Sequence, residues 1–266
     1  MGTICITGSA SGMGFATAAR LRAQGHAVIG VDVRDADVIA DLGTLDGRAA
    51  AIAAIDEASS GVLDGFVPFA GLGGLPDRAG SLVASVNYFG SAVLLPALRP
   101  LLARGTDPSC VVIGSNSTTC QPDIPEDLVE AFLAGDEATA RDVADGHGSI
   151  LTYPASKLAL TRWVRRHAPG PDWAGAGIRL NVVSPGLVET ALTAEQKADP
   201  TMGPLIGGFP LPLGRGGRPD ELAALVDFLL GPESTFFVGS IVLCDGGTEA
   251  LLRPDDWPTV WHIGGS

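Results

Sequence analysis

Charged and aromatic residues are scarce in this 266-residue sequence, at 18% and 6%. Basic residues are the scarcer charges, because 17 lysines and arginines stand against 30 aspartates and glutamates, a formal net charge of −13. Nucleic acids and anionic membrane surfaces bind basic patches, so this balance argues against both as partners. Apolar residues instead make up 46% of the chain. We expect part of this apolar surface to be buried against a second copy of the chain, in a homo-oligomer.

Cysteine is also scarce, and Cys5, Cys110, Cys120 and Cys244 do not have the spacing of metal ligands. We predict that they are reduced core residues of a cytoplasmic protein, and we expect no metal site. The sequence lacks an uncharged run of about 18 apolar residues, so we expect no transmembrane helix. It opens on an apolar, strand-like run without a basic segment, so we expect no signal peptide.

Short apolar runs alternate with helical stretches along the chain, and this alternation predicts an α/β fold. The runs are too uniformly apolar for strands with one wet face, which is typical of a parallel sheet covered on both sides. Repeated βα units predict a doubly wound, parallel, seven-stranded sheet of the Rossmann type, in a single domain over residues 1–266. The predicted strands lie at residues 3–7, 27–32, 37–40, 65–70, 110–114, 178–183 and 240–245, and the helices near 12–24, 44–58, 81–104, 152–168 and 219–230.

Three segments interrupt this pattern. Residues 117–150 form a long insertion, and its middle, PEDLVEAFLAGDEATARDVADG, is predicted to be helical. Residues 187–218 are rich in glycine and proline with apolar residues between them. The tail, residues 251–266, has almost no helix or strand pattern.

A glycine-rich stretch, TGSASGMG, follows the first predicted strand and opens a helix. Glycines at positions 8, 12 and 14 let the backbone turn tightly and approach a pyrophosphate, which then lies at the helix N-terminus. Asp32 ends the second strand, where a carboxylate binds the ribose hydroxyls of adenosine and repels a 2′-phosphate. The glycine-rich stretch and Asp32 together predict NAD rather than NADP as the cofactor. We expect the nearby Arg34 to be a surface residue. The alternative is a glycine-rich turn without a ligand.

Tyr153 lies four positions before Lys157 in a helical stretch, so the two side chains share one face of the helix. Free tyrosine has a pKa of about 10, too high for a base at neutral pH. A lysine ammonium beside it, together with a positive nicotinamide ring, favours the phenolate. Ser115 follows the fifth strand at the sheet edge where ligands bind, and its hydroxyl can hold the substrate oxygen. The alternatives are a chance pair on a helix surface and a serine that caps a loop.

Together these motifs resemble the classical short-chain dehydrogenase/reductase family, in order and over nearly the whole chain. Within that family, four stretches resemble the bacterial 3α-hydroxysteroid dehydrogenase/carbonyl reductase subgroup: GHAVIGVDVRDADVIADL, VNYFG, AFLAGDEATAR and CDGGTEALLRP. The family resemblance is carried by Thr7–Gly14, Asp32, FAG (69–71), Asn87, Ser115, Tyr153-Pro-Ala-Ser-Lys157 and NVVSPGLVET (181–190).

The resemblance implies a catalytic tetrad and a set of NAD contacts. Ser115 would hold the substrate, Tyr153 would be the general acid/base, and Lys157 would lower its pKa and bind the ribose. Asn87 would hold a water in the proton relay behind the lysine. Phe69 stands where the family has asparagine, which puts local packing in doubt. The implied NAD contacts are Gly8, Ser11, Gly12, Met13, Gly14, Asp32, Asp41 and Leu42 (adenine), Ala70 and Gly71 (nicotinamide ribose), Tyr153, Lys157, and Val188 and Thr190 (carboxamide).

Residues 187–213, called the lid below, combine apolar side chains with four prolines and three glycines in their second half. A long regular helix is unlikely there, and we predict a mobile segment that closes an apolar roof over the substrate. The alternative is a loop packed over the core. An apolar roof favours a hydrophobic secondary alcohol or ketone, with a steroid-type substrate as the leading candidate. The apolar residues are Leu187, Leu192, Met202, Leu205, Ile206, Phe209, Leu211 and Leu213.

Two other functions stay open at this point. One is a dehydrogenase of a smaller alcohol, ketone or cyclic diol, and the other is a non-catalytic NAD-binding sensor. A sensor has no need of the complete tetrad, which favours the enzyme. The insertion precedes the tyrosine helix, whose outer face many members of the family use for dimer contacts, and it should obstruct that packing. Together with the resemblance to the hydroxysteroid subgroup, this predicts a homodimer built through the last helix and strand, roughly residues 219–247.

Overall fold

In the computed structural model, which describes residues 1–257 and 259, one seven-stranded sheet has the order β3-β2-β1-β4-β5-β6-β7. Every neighbouring pair is parallel, so the predicted doubly wound sheet is confirmed. The order reverses between β1 and β4, which creates a crevice at their carboxyl ends. The strands are β1 (Thr3–Thr7), β2 (Ala27–Asp32), β3 (Val38–Ile39), β4 (Gly65–Pro68), β5 (Ser109–Ile113), β6 (Arg179–Pro185) and β7 (Ile241–Cys244).

Helices cover both faces of the sheet. Helices α1 and α10 pack together on one face, and α2, α3 and α7 lie on the other. Part of the predicted tail, beyond residue 259, lies outside the described residues. The helices are α1 (Gly12–Ala23), α2 (Leu45–Ala58), α3 (Gly80–Leu102), α4 (Ser117–Cys120), α5 (Glu126–Ala134), α6 (Glu137–His147), α7 (Ser149–His167), α8 (Ala191–Ala198), α9 (Met202–Gly207), α10 (Pro219–Leu230) and α11 (Thr248–Leu252).

The two faces explain the uniformly apolar strands. Ile4 and Ile6 enter the core beneath α1 and α10, whereas Cys5 between them enters the core on the opposite face. Side chains alternate along a strand, so both sets must be apolar when helices cover both faces. The edge strand β7 departs from this expectation, because Ile241 and Leu243 remain 39% and 36% exposed. This strand has an uncovered face.

Helix α3 is long and apolar enough to cross a membrane by length and composition, which the sequence reading did not anticipate. Its most apolar window is 67% buried within the fold, as expected of a core helix. Residues Ala84–Phe89 within it form a π-helical segment, and Pro100 lies near its end. Short π segments are frequent at functional sites, and Asn87 lies within this one.

The insertion folds as two main helices rather than one helical segment. Helix α5 ends at Gly135, which adopts the left-handed conformation with φ +78°. Asp136 then caps α6, and its carboxylate accepts a hydrogen bond from the backbone N–H of Thr139. Left-handed glycine ends helices and aspartate starts them, so this dipeptide separates the two. Helix α5 packs against α7, and α6 packs against α3 and α7.

Candidate active site

The glycine-rich turn after β1 forms an open cradle at the N-terminus of α1. Gly8 and Gly12 have φ of +67° and +55°, a region that favours glycine. A Cβ on Gly14 would lie 2.1 Å from the carbonyl oxygen of Gly8, so only glycine fits this close approach. The side chain of Ser11, the N-cap, makes no capping hydrogen bond, and the first turn of α1 carries no acidic residue. The backbone geometry fits the phosphates of a dinucleotide.

This cradle opens into a groove of about 380 Å³ at the crevice between β1 and β4. The half-buried carboxylate of Asp32 accepts hydrogen bonds from the backbone N–H groups of Ala10, at 3.0 Å, and Val33, at 2.7 Å. The Asp32 carboxylate is therefore held at the groove wall, whereas Arg34 is exposed and does not line it. Eleven predicted cofactor contacts line the groove: Gly8, Ser11, Gly12, Met13, Gly14, Asp32, Asp41, Leu42, Ala70, Gly71 and Thr190.

A second cavity of about 420 Å³ adjoins the groove and contains the predicted catalytic side chains. Ser115, Tyr153 and Lys157 line it, together with Val188. Six residues line both cavities, which makes the two spaces continuous: Met13, Phe69, Gly71, Leu72, Thr190 and Leu192. The structure thus brings together every predicted cofactor contact and three members of the predicted tetrad.

Tyr153 lies on α7, whose N-terminal half borders this second cavity. Burial raises the pKa of the Tyr153 phenol, and the neighbouring Ser115 hydroxyl lowers it in part. Ser115 lies directly beyond β5, and its Oγ accepts a hydrogen bond from the backbone N–H of Ser117 at 3.1 Å. The serine hydroxyl is therefore held beside the phenol. A substrate oxygen placed between the two can contact both.

Lys157 is buried, and its Nζ donates a hydrogen bond to the carbonyl oxygen of Ile113, 2.9 Å away. Burial lowers the pKa of Lys157 to about 8. Desolvation is the larger influence on the pKa of the Tyr153 phenol, and the depression of that pKa by the Lys157 ammonium and a nicotinamide ring stays a prediction. Lys157 thus borders the cavity as a stronger acid than an exposed lysine.

Asn87 is fully buried in the π-helical segment of α3. Its side-chain amide donates to the carbonyl oxygen of Leu72 at 2.9 Å and accepts from the N–H of Leu72 at 2.7 Å. The role of Asn87 in holding a relay water stays a prediction. The amide positions Leu72, a residue of both cavities that the sequence analysis missed.

Phe69 also lines both cavities, although the sequence analysis treated it only as a packing defect. Its side chain packs against the core beneath α1, and its N–H donates to the carbonyl oxygen of Thr7 at 3.2 Å. Local packing is therefore maintained with phenylalanine in this position. Ordinary strand periodicity gave no reason to place this ring at a ligand cavity.

The lid contributes seven apolar residues to the wall of the second cavity. It contains two short helices, α8 and α9, in agreement with the predicted absence of a long helix. Leu211 and Leu213, which were predicted to join the roof, do not line the cavity. The lid residues that do are Leu187, Leu192, Met202, Leu205, Ile206 and Phe209 among the predicted apolar set.

The predicted assignment of all four cysteines to the core is wrong for two of them. Cys5 and Cys110 are buried in the core, but Cys120 and Cys244 are only partly buried. Cys120 ends the short helix α4 and lines the second cavity beside Gln121 and Pro122. The insertion thus contributes to the substrate side of the site, because its first turn follows Ser115 directly.

The chain is similar to known dehydrogenases over nearly its whole length. A family model described as Enoyl-(Acyl carrier protein) reductase matches residues 137–249. The 3-alpha-hydroxysteroid dehydrogenase/carbonyl reductase of Comamonas testosteroni is 42% identical over 257 residues, 96% of this chain and 99% of the relative. The cis-4-hydroxycyclohexanecarboxylate dehydrogenase of Sinomonas cyclohexanicum is 30% identical over 267 residues, 92% of this chain and 96% of that relative.

A solved structure is also similar over nearly the whole chain. The 3-alpha-hydroxysteroid dehydrogenase of Pseudomonas sp. B-0831, complexed with NADH, is 48% identical with a TM-score of 0.91, over 95% of this chain and 99% of that one. This chain belongs to the short-chain dehydrogenase/reductase family. The predicted family, the oxidoreductase class and the nicotinamide dinucleotide cofactor are confirmed.

Proposed function

We propose that this protein is an NAD(H)-dependent dehydrogenase and ketone reductase of hydrophobic secondary alcohols, with a steroid-type 3α-hydroxyl or ketone as its substrate. The observation that carries the proposal is the position of Ser115, Tyr153 and Lys157 on the wall of an apolar cavity that is continuous with the dinucleotide groove. The relatives from Comamonas testosteroni and Pseudomonas, whose names state 3-alpha-hydroxysteroid dehydrogenase, support the substrate class.

The glycine cradle and Asp32 would hold the cofactor. When bound there, a nicotinamide dinucleotide supplies the acceptor or donor of the transferred hydride. The Asp32 carboxylate is fixed by two backbone N–H groups, so it is placed to accept ribose hydroxyls and to repel a 2′-phosphate. This charge supports NAD(H) over NADP(H).

The chain's own residues handle the substrate oxygen and its proton. The Ser115 hydroxyl holds the oxygen. The Tyr153 phenolate takes the proton of the alcohol during oxidation, and the Tyr153 phenol gives its proton to the substrate oxygen during reduction. The buried Lys157 keeps one donor on the Ile113 carbonyl, which leaves its other N–H groups for the ribose and the proton path. Asn87 holds the Leu72 backbone between the two cavities.

The wall of the second cavity favours an apolar substrate. Ile150, Pro122 and the lid residues supply apolar surface, and Lys157 is the one cation among the residues that line this cavity in the described chain. The second cavity has a volume of about 420 Å³, which lies in the range typical of small-molecule sites. A charged substrate would find no counter-ion there beyond the lysine already bound to Ile113.

A smaller cyclic alcohol is the second candidate, and the relative from Sinomonas cyclohexanicum supports it. That relative's name states a cyclohexanecarboxylate, and the lack of a free cation in the lining described above argues against a carboxylate here. The two candidates are separated by kcat/KM for NADH formation with 3α-hydroxysteroids and with small cyclohexanols. Higher kcat/KM for the steroids supports the proposal, and higher kcat/KM for cyclohexanols favours the second candidate.

We also propose a homodimer built through residues 219–247. Helices α5 and α6 of the insertion cover parts of α3 and α7, so those helices offer less surface for a subunit contact. The β7 edge of the sheet carries an exposed apolar surface, called the β7 surface below. It consists of Phe228, Phe236, Val238, Ile241 and Leu243, which are 36% to 101% exposed.

We also propose a cytoplasmic location, which the free cysteine thiols support. All four cysteines are free, and burial raises the pKa of the Cys5 and Cys110 thiols, which makes them poor nucleophiles. Free thiols persist in reducing compartments. Fractionation of the native host, with the protein in the soluble cytoplasmic fraction as the expected result, tests this location.

A further inference from the structure

Arg48 is the largest fully buried side chain of the described residues, although it belongs to neither cavity. It lies on α2, and its side chain is only 1% exposed. Burial of an arginine is costly unless its charge is paired and its N–H groups have acceptors. Its partners therefore reveal what the buried charge holds together.

One partner of Arg48 is the loop that borders the adenine side of the groove. Nη1 donates to the carbonyl oxygen of Leu42 at 2.9 Å. Asp41 and Leu42 both line the groove, and the Leu42 side chain is buried against it. The same loop is closed by Thr44, whose hydroxyl donates to the Asp41 carbonyl oxygen at 3.1 Å. Arg48 thus holds the main chain at Leu42 directly.

The other partner of Arg48 comes from the insertion. Nη2 forms a buried ion pair with Glu137, the first residue of α6 and 89 positions away in sequence. The other carboxylate oxygen of Glu137 accepts a hydrogen bond from the Ser85 hydroxyl at 2.8 Å. Arg141, one turn further along α6, donates to the same hydroxyl. Arg48, Glu137, Ser85 and Arg141 are called the Arg48 network below.

The network also reaches the second wall of the groove. Ser85 is fully buried in the π-helical segment of α3. Leu82 and Val86, three residues before and one after it, line the groove from the same helix. The Glu137 carboxylate of the inserted helix α6 therefore contacts α3 directly, through Ser85, and is linked to the Leu42 loop through Arg48. No member of the network lines either cavity among the described residues.

We propose that Arg48 and Glu137 are positioning residues through which the insertion sets the affinity for the adenine half of the dinucleotide. The proposal rests on the proposed NAD(H) function. The Glu137 carboxylate fixes the guanidinium, and the guanidinium fixes the Leu42 carbonyl, so the groove keeps its width before the cofactor arrives. Preorganisation of this kind increases affinity because less ordering remains to be done on binding. The insertion then serves the cofactor site as well as the substrate cavity.

The test compares Glu137→Gln with Glu130→Gln, an exposed glutamate of the same insertion. Glutamine keeps the shape of the side chain and removes the charge that pairs with Arg48. We expect the Kd of NADH, measured by fluorescence titration well below the unfolding temperature, to rise about three- to thirtyfold in Glu137→Gln only. The Kd of ADP-ribose should rise by the same factor, while kcat at saturating NADH stays within about twofold, since the catalytic residues are untouched.

Several results would overturn the proposal. An unchanged Kd of NADH in Glu137→Gln, or a loss of kcat without a change in Kd, assigns the network a purely structural role. A rise in the Kd of NADH without one in the Kd of ADP-ribose places the effect outside the adenine half. If Glu137→Gln does not fold, Arg48→Lys decides, because lysine keeps the positive charge but has a single nitrogen in place of the two guanidinium nitrogens that hold the Glu137 carboxylate and the Leu42 carbonyl. An unchanged Kd in that variant contradicts the proposal. Wild-type protein that fails to bind NADH instead overturns the proposed function itself.

Discussion

The ammonium of Lys157 and the carbonyl oxygen of Ile113 are joined by a hydrogen bond of 2.9 Å across the end of β5. The bond ties Lys157, which lies one helical turn after Tyr153 on α7, to the last residue of β5. Since Ile113 ends β5 and Ser115 follows two residues later, one contact aligns α7 with the serine. The relative position of the two proposed proton-handling groups therefore depends on the buried lysine.

Replacing Lys157 with methionine should remove a pH dependence of stability. Burial lowers the pKa of Lys157 to about 8 from 10.5, so between these values the unfolded chain binds more protons than the folded protein. Wild-type stability should thus gain roughly 2 kcal/mol from this residue between pH 7 and pH 10. Lys157→Met should lack this gain and should also lose turnover. Parallel curves of unfolding free energy against pH for the two proteins would contradict this assignment.

Asp32→Asn should relax cofactor choice toward NADP(H). The amide cannot repel a 2′-phosphate, so we expect the ratio of kcat/KM with NADPH to that with NADH to rise at least about tenfold. Asp35→Asn is the matched control, because Asp35 is exposed and has φ +49°, a conformation that asparagine tolerates. Wild-type protein that uses NADPH as readily as NADH would show that the interpretation of Asp32 is wrong.

The β7 surface should be the dimer interface. Ile241→Glu would place a charge within a buried apolar contact, so we expect the variant to be monomeric by analytical ultracentrifugation while the wild type is dimeric. Leu45→Glu, an exposed leucine at the start of α2, should remain dimeric. A wild-type tetramer with α3 and α7 at its interfaces, or an Ile241→Glu dimer as stable as the wild type, argues against this interface.

The fold was predictable because its main patterns are local. The alternation of apolar strands with helices, the glycine spacing at residues 8–14 and the four-residue separation of Tyr153 and Lys157 each depend on neighbouring residues. These patterns predicted all seven strands of the sheet. They also predicted three of the four proposed catalytic side chains that line the second cavity. Local periodicity is sufficient for such features because each determines its own backbone geometry.

The features that escaped prediction depend on contacts between distant residues. The reciprocal hydrogen bonds of Asn87 with Leu72 join α3 to the loop after β4, and nothing in either stretch indicates the other. The ion pair between Arg48 and Glu137 spans 89 positions. The exposed face of β7 follows from its place at the edge of the sheet, which strand composition does not reveal.

The lid should become ordered when both cofactor and substrate bind. Lys197 is the only lysine or arginine within residues 187–213, and its ion pair with Glu189 is partly exposed, so trypsin can cleave after it. We expect NADH with a ketone substrate to slow this cleavage, because the lid then closes over the filled cavity. Cleavage after Arg104, an exposed residue outside both cavities, should not change. Equal rates at Lys197 with and without ligands would support a loop fixed on the core.

The most direct test of the proposed chemistry is the turnover of Tyr153→Phe. Phenylalanine keeps the ring and removes the hydroxyl, so we predict a fall in kcat of at least about a hundredfold with NADH binding retained. Tyr88→Phe is the matched control, because Tyr88 is the chain's other tyrosine and is buried in the core against Phe132. A Tyr153→Phe protein whose kcat stays near that of Tyr88→Phe would contradict the assignment of Tyr153 as the proton donor and acceptor.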